Sequence, residues 1–190
     1  MQQRFYVETL GCPKNDVDSD KIVGTLLADG LIATDDPALA DLVVVNTCAF
    51  IEDARKESID TVLALGAQRK EGARLVVTGC MAERYGAELA EALPEVDQVA
   101  GFGVPVQMGR KPISVSAVPI PSFDLLNLPR PKSTAPWAYV KIAEGCDRNC
   151  GFCAIPSFRG PQRSRDISQI LHEVDELGAK EIVLIAQDLA

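Results

Sequence analysis

Short β-branched runs alternate with segments of helical period along residues 4–102, and this alternation constrains the fold more than any other feature of the chain. Arg4 to Leu10 is an aromatic and β-branched run ending at Gly11-Cys12. From Asp16 to Asp29 the apolar residues Val17, Ile22, Val23, Leu26 and Leu27 take helical spacing, which stops at Gly30. Leu42 to Asn46 reads as a continuous apolar strand and Phe50 to Lys70 as a long amphipathic helix. Leu75 to Thr78 reads as a strand, Ala82 to Leu93 as a helix and Val96 to Phe102 as a last short strand. Strands separated by helices need crossover connections, so the expected fold is α/β, an open parallel sheet covered on both faces.

Three of these strands run into a cysteine: Tyr6 to Cys12, Val43 to Cys48 and Leu75 to Cys80. In an open parallel sheet the strand C-termini share one edge, and ligands bind in the crevice outside it. Cys12, Cys48 and Cys80 are therefore expected to converge there. A single free cysteine is ordinarily a small buried hydrophobe; three at the same topological position argue for a site.

Charge divides the chain. Residues 1–103 hold 9 Lys plus Arg against 18 Asp plus Glu, and residues 104–190 hold 10 against 9, within an overall net charge of −8. Seven of the 12 prolines fall between Pro105 and Pro136, and proline imposes extended backbone on itself and its predecessor. The expected organisation is a first domain over 1–103, a Pro-rich linker over 104–136 and a second domain from 137 to 190. An apolar fraction of 47% suits a packed core. No apolar run approaches the roughly 18 residues of a membrane span, and Met1 to Phe5 carries no signal-peptide pattern. With one histidine, sites built from several imidazoles are excluded, so the chemistry must run through the six cysteines.

Beyond the linker, Trp137 to Ala143 reads as a strand, Ser168 to Leu177 as a helix closed by Gly178, and Glu181 to Ala186 as a strand. One βαβ unit leaves an unpaired edge and little core, so this part is expected to be the truncated start of a larger domain. Between its first strand and helix lies Cys146-x₃-Cys150-Gly-Phe152-Cys153. A structural zinc site wants four ligands, and no fourth is at hand; a redox dithiol needs only C-x₂-C. Three close thiolates suit three irons of a 4Fe–4S cluster and leave the fourth iron open for a substrate or cofactor.

This loop, with its aromatic residue before the last cysteine, resembles the signature of the radical S-adenosylmethionine superfamily, in which the cofactor chelates the open iron. The resemblance implies that residues 137–190 open a TIM-like partial barrel. Gly11-Cys12-Pro13-Lys14-Asn15, Asn46-Thr47-Cys48 and Thr78-Gly79-Cys80 resemble the three motifs of the methylthiotransferase N-terminal domain. That implies a second, auxiliary 4Fe–4S cluster on Cys12, Cys48 and Cys80 beside the radical-generating one on Cys146, Cys150 and Cys153. Gly-Cys-Pro-Lys-Asn, Glu-Gly-Cys-Asp-Arg and Ile155-Pro-Ser-Phe-Arg159-Gly160 are similar to the branch that modifies small-subunit ribosomal protein S-twelve. The implied reaction sets a methylthio group on the β-carbon of an aspartate, with S-adenosylmethionine as both methyl donor and radical source. An electron donor such as flavodoxin or ferredoxin and a cytoplasmic location follow from the same resemblance. The alternatives are a transferase acting on a transfer-RNA adenosine and a non-enzymatic iron–sulfur scaffold or electron carrier. The acidity of residues 1–103 disfavours nucleic acid and favours a basic protein substrate. Residues 1–190 alone are expected to be inactive.

Further residues are weighed one by one. Asn15 and Asn46 are expected either to donate to cluster sulfurs or to serve as turn residues. Phe152 is placed against the cofactor's adenine or packed under the loop, and Gln187-Asp188 at the cofactor's amino end or as a polar strand end. Arg159, Arg163 and Arg165 are expected to lie on a solvated loop, or to pair with a carboxylate of cofactor or substrate. His172 is read as structural, and the helix over 50–70 as carrying no site.

Overall fold

The computed structural model describes residues 2–108 and 125–189. Strands β1 (Arg4–Thr9), β2 (Ile32–Ala33), β3 (Leu42–Thr47), β4 (Arg74–Gly79) and β5 (Gln98–Ala100) form one parallel sheet in the order β2-β1-β3-β4-β5. Helices α1 (Pro13–Ala28), α2 (Glu52–Gln68) and α3 (Cys80–Ala92) make the crossovers. β3 is buried along its whole length, and its alternate residues serve opposite faces. Val43 and Val45 pack with Val62 and Leu65 of α2 and Leu89 of α3, whereas Leu42 and Val44 pack with Phe5 of β1 and with Ile22 and Leu26 of α1. A central strand covered on both sides has no polar face, which is why this segment reads as an unbroken apolar run.

Two helices start earlier than their apolar spacing indicates. α1 begins at Pro13 with Cys12 as its cap, because proline's missing N–H has no partner to lose at a helix start. α3 begins at Cys80 itself, directly after Gly79 at φ +90°, and a side chain at Gly79 would collide with Asn46 and the Thr47 backbone.

In the second part β6 (Trp137–Lys141) pairs in parallel with β9 (Glu181–Ile185), joined through α5 (Ile167–Leu177). The side chain of Asp166 caps α5 by accepting from the Ser168 N–H, and Gly178 closes it in the left-handed conformation at φ +63°. Three short elements lie between: β7 (Ala143–Glu144), the five-residue helix α4 (Ile155–Arg159) and β8 (Arg163–Ser164), with β7 and β8 antiparallel. They hold the cysteine loop at both ends. Of the Pro-rich stretch, residues 109–124 lie outside the described residues. Its described flanks pack inward, with Val106 and Leu125 joining the Phe5–Leu26 cluster.

The two parts meet through buried charge. From α1, Asp18 pairs with Lys141 at 2.5 Å and with Arg159 at 3.1 Å. A second cluster centres on Glu173 of α5, which meets Arg165 at 2.6 Å, Arg130 at 3.4 Å and Lys21 at 3.5 Å.

Candidate functional site: two cysteine triads

At the C-terminal edge of the sheet, Cys12 caps α1, Cys48 follows β3 and Cys80 opens α3. The register of β1 on β3 and of β3 on β4 brings these three chain ends level. Gly11, at φ +104°, lies so close to Cys48 that a Cβ there would sit 2.8 Å from the Cys48 Cβ and 3.0 Å from its Sγ. Glycine at this position lets the first and second motifs touch.

Asn15 is the hub of this edge. Fully buried, its Nδ2 donates to the Leu10 carbonyl at 2.7 Å and the Thr47 carbonyl at 3.2 Å, and its Oδ1 lies 3.8 Å from the Cys80 Sγ. Asn46 works one layer below, its Nδ2 donating to the Asn15 carbonyl at 2.9 Å and to Ser19 Oγ at 3.0 Å. Asn15 thus meets the Cys80 sulfur only as an acceptor through Oδ1, its Nδ2 being spent on the Leu10 and Thr47 carbonyls; the side-chain donor of Asn46 is likewise spent on holding Asn15 and α1 in place. Ser58 of α2 holds Cys48: its Oγ accepts from the Cys48 N–H at 3.1 Å, and its proton faces both the Ala54 carbonyl at 2.8 Å and the Cys48 carbonyl at 3.2 Å. The charged outer face of α2 gives no sign of this role; the only available signal was a serine where the helix turns inward.

The second triad lies on the loop between β7 and α4. Cys146 is buried, Cys153 half-buried and Cys150 exposed. The Cys146 N–H donates to the Gly160 carbonyl at 3.1 Å, and its Sγ accepts from the Arg148 N–H at 3.4 Å. Phe152 is 91% exposed, so it does not pack under the loop. Gln187 donates through Nε2 to Glu144 Oε1 at 2.5 Å, and Asp188 pairs with Arg148 Nε at 2.6 Å. The strand-end pair therefore faces the cysteine loop from β9. The Gln187 Oε1 is buried with no hydrogen-bond partner among the described residues.

Arg159 corrects the expectation of a solvated basic loop. It is buried, and its Nη1 donates to Asp18 Oδ2 at 3.1 Å and Glu144 Oε2 at 2.9 Å. Its Nη2 donates to Asn15 Oδ1 at 2.9 Å and to the Cys80 Sγ at 3.1 Å. The guanidinium lies 4.2 Å from the centre of the Phe102 ring. Arg165 is buried too, bonded to Asn127 Oδ1 at 3.0 Å, the Lys141 carbonyl at 2.9 Å and Glu173. Both side chains are drawn inward because buried carboxylates need partners. His172 stays on the surface, 3.4 Å from Glu176 one turn along α5.

These charges shape the thiols and carboxylates around them. Burial pushes the Cys80 thiol up, against the opposing pull of the Arg159 charge and hydrogen bond. Burial also pushes Glu144 up, but Arg159 and Lys141 together outweigh it and hold the carboxyl at about 2.

All six cysteines are free thiols. Among the described residues no group of three or more His, Cys, Asp or Glu is gathered tightly enough to grip a single metal ion. A four-iron cubane spreads its thiolate ligands wider than one ion does, and hydrogen bonds to sulfur are among the determinants of its potential, with net charge and exposure. The donor set fits such a group: three thiols on each side, with an N–H already directed at Cys80 and another at Cys146.

Residues 4–101 match the model of uncharacterized protein family UPF0004, and the chain belongs to that family. Residues 140–188 match the radical SAM superfamily, which covers β9, α5 and the cysteine loop. Over nearly its whole length the chain is similar to curated proteins named ribosomal protein uS12 methylthiotransferase RimO. It is 47% identical to that of Desulfosudis oleivorans, over 97% of this chain and 45% of the relative. It is 45% identical to that of Anaeromyxobacter sp. strain K, over 100% of this chain and 43% of the relative. The Thermotoga maritima protein is 42% identical, over 97% of this chain and 45% of its own length. The chain thus spans less than half the length of these curated relatives.

Proposed function

We propose that the chain forms the cluster-bearing part of a radical methylthiotransferase that modifies the β-carbon of an aspartate in ribosomal protein uS12. The observation that carries this reading is the pair of separate cysteine triads, one built by a sheet edge and one by a loop, each with an N–H donor aimed at a sulfur. Residues 1–103 would be the auxiliary-cluster domain, 104–136 the linker and 137–190 the start of the radical domain.

The β-hydrogens beside an ionised aspartate carboxylate are too weakly acidic for ready removal by a side-chain base; two 4Fe–4S clusters and S-adenosylmethionine, when bound, supply the radical and sulfur chemistry required. The protein's part is to hold, orient and shield. Cys12, Cys48 and Cys80 would hold the auxiliary cluster, with Asn15 and Ser58 fixing the backbone around it. Cys146, Cys150 and Cys153 would hold the radical cluster on the loop framed by β7 and β8. Exposed Phe152 is free to cover the adenine of the cofactor. Gln187, with an unpaired buried oxygen, is suited to accept from the cofactor's ammonium. The acidity of residues 1–103 suits a basic ribosomal protein. Thiolate ligands to low-potential clusters require a reducing compartment, which supports a cytoplasmic location and a donor such as flavodoxin or ferredoxin. No helix among the described residues is long and apolar enough to cross a membrane.

The test is anaerobic turnover by the full-length protein with purified uS12, S-adenosylmethionine and a reductant. Mass spectrometry should find one methylthio group on an aspartate of uS12. Methylthioadenosine in transfer RNA, with uS12 unmodified, would refute this assignment in favour of the nucleic-acid substrate.

A further inference from the structure

Arg159 touches both halves of the site. Its Nη2 reaches Cys80, a member of one triad, and its Nη1 reaches Glu144, two residues before Cys146 of the other. The Gly145 N–H donates to Glu144 Oε1, and the Cys146 N–H donates to the carbonyl of Gly160, next to Arg159 itself. The division of labour within the guanidinium is informative. Asp18 and Glu144 are both met through Nη1, and both are also paired with Lys141. The ion pairs therefore leave Nη2 to Asn15 and the Cys80 sulfur. Stacking on Phe102 fixes the plane that makes this two-sided contact possible, and the single ammonium of a lysine has no such fork.

We propose that Arg159, anchored to Glu144, is a positioning residue that raises the reduction potential of the cluster on Cys12, Cys48 and Cys80. This rests on the two-cluster reading above. A buried cation with an N–H on a ligand sulfur favours the form carrying the extra electron, since the reduced cluster is more negative and the surroundings screen little. Removing the charge makes that cluster harder to reduce.

The experiment uses full-length protein in which Cys146, Cys150 and Cys153 are replaced by Ala, so that only the edge cluster is loaded. This parent is compared with Arg159→Lys and Arg159→Gln after anaerobic reconstitution. Iron is counted, and the midpoint potential is read by spin resonance across a redox titration. The expected order is parent highest, Lys lower and Gln lowest. Gln should disfavour reduction about tenfold, a downward shift of about 59 mV for one electron. Full iron with unchanged potentials overturns the proposal alone. A parent that binds no iron overturns the two-cluster reading, and the proposal with it. If circular dichroism shows that Arg159→Gln does not fold, Arg159→Lys decides: a lowered potential supports the proposal, and a potential equal to the parent's refutes it.

Discussion

Lys21 lies fully buried on α1, where its ammonium donates to the Leu126 carbonyl at 2.5 Å and meets Glu173 at 3.5 Å. Burial pulls its pKa from 10.5 down to about 8; Glu173 and Asp18 oppose that pull, while Arg165 and Lys141 add to it. Between about 8 and 10.5 the unfolded chain holds a proton that the folded chain has released, so this group makes stability rise with pH across that window. Denaturant unfolding of the protein and of Lys21→Met, with thiols kept reduced, should show an upward slope in the first that is missing from the second. Equal slopes would remove Lys21 as the source. Gly79 makes a second prediction at this scale. Its φ of +90° costs any other residue about 1–3 kcal/mol, before the collision with Asn46 and Thr47 is counted. Gly79→Ala should lower the unfolding free energy by at least that much and loosen the hold on Cys80; wild-type stability would contradict this.

At the scale of elements, the helix α1 does two jobs: its N-terminus presents Cys12, and its inner face packs Leu26 against the sheet. Leu26→Ala should cost about 2–5 kcal/mol by opening a cavity at a site with no exposure, measured by chemical unfolding. The long elements were legible because their periods are long enough to be seen: β3 as an apolar run, α5 by its apolar spacing and its Gly178 stop. The level placement of the three cysteine-bearing chain ends along one sheet edge followed from the same pattern. Elements β2, β7, β8 and α4 were not legible, since two to five residues carry no period. Nor was the burial of Arg159. Its partners Asp18 and Asn15 are 141 and 144 positions away, and a basic loop residue gives no local sign that distant carboxylates will draw it inside.

Over the whole molecule, the two parts are joined both by buried ion pairs and by apolar contact, Phe158, Ala154 and Ile155 packing onto the Val43–Met81 cluster of the sheet. Glu173 alone faces Lys21, Arg130 and Arg165 from α5. Glu173→Gln leaves buried cations without a counter-charge and should destabilise the protein by about 3–5 kcal/mol. Replacing a solvated glutamate such as Glu52 should change it little. The acidity of residues 1–103 belongs mainly to the surface, yet Asp18 of that region is consumed by the joint itself. Charge counting located the acidic half; it gave no indication that the joint between the parts holds buried ion pairs. Within that joint, Arg159 meets Cys80 of the sheet edge and Glu144, two residues before Cys146.

The measurement that most directly tests two clusters on two triads is iron per chain in the anaerobically reconstituted full-length protein. The arrangement predicts about eight irons, falling to about four when Cys12, Cys48 and Cys80 become Ala, and again to about four when Cys146, Cys150 and Cys153 do. A value near four that does not change when Cys12, Cys48 and Cys80 are removed would contradict it.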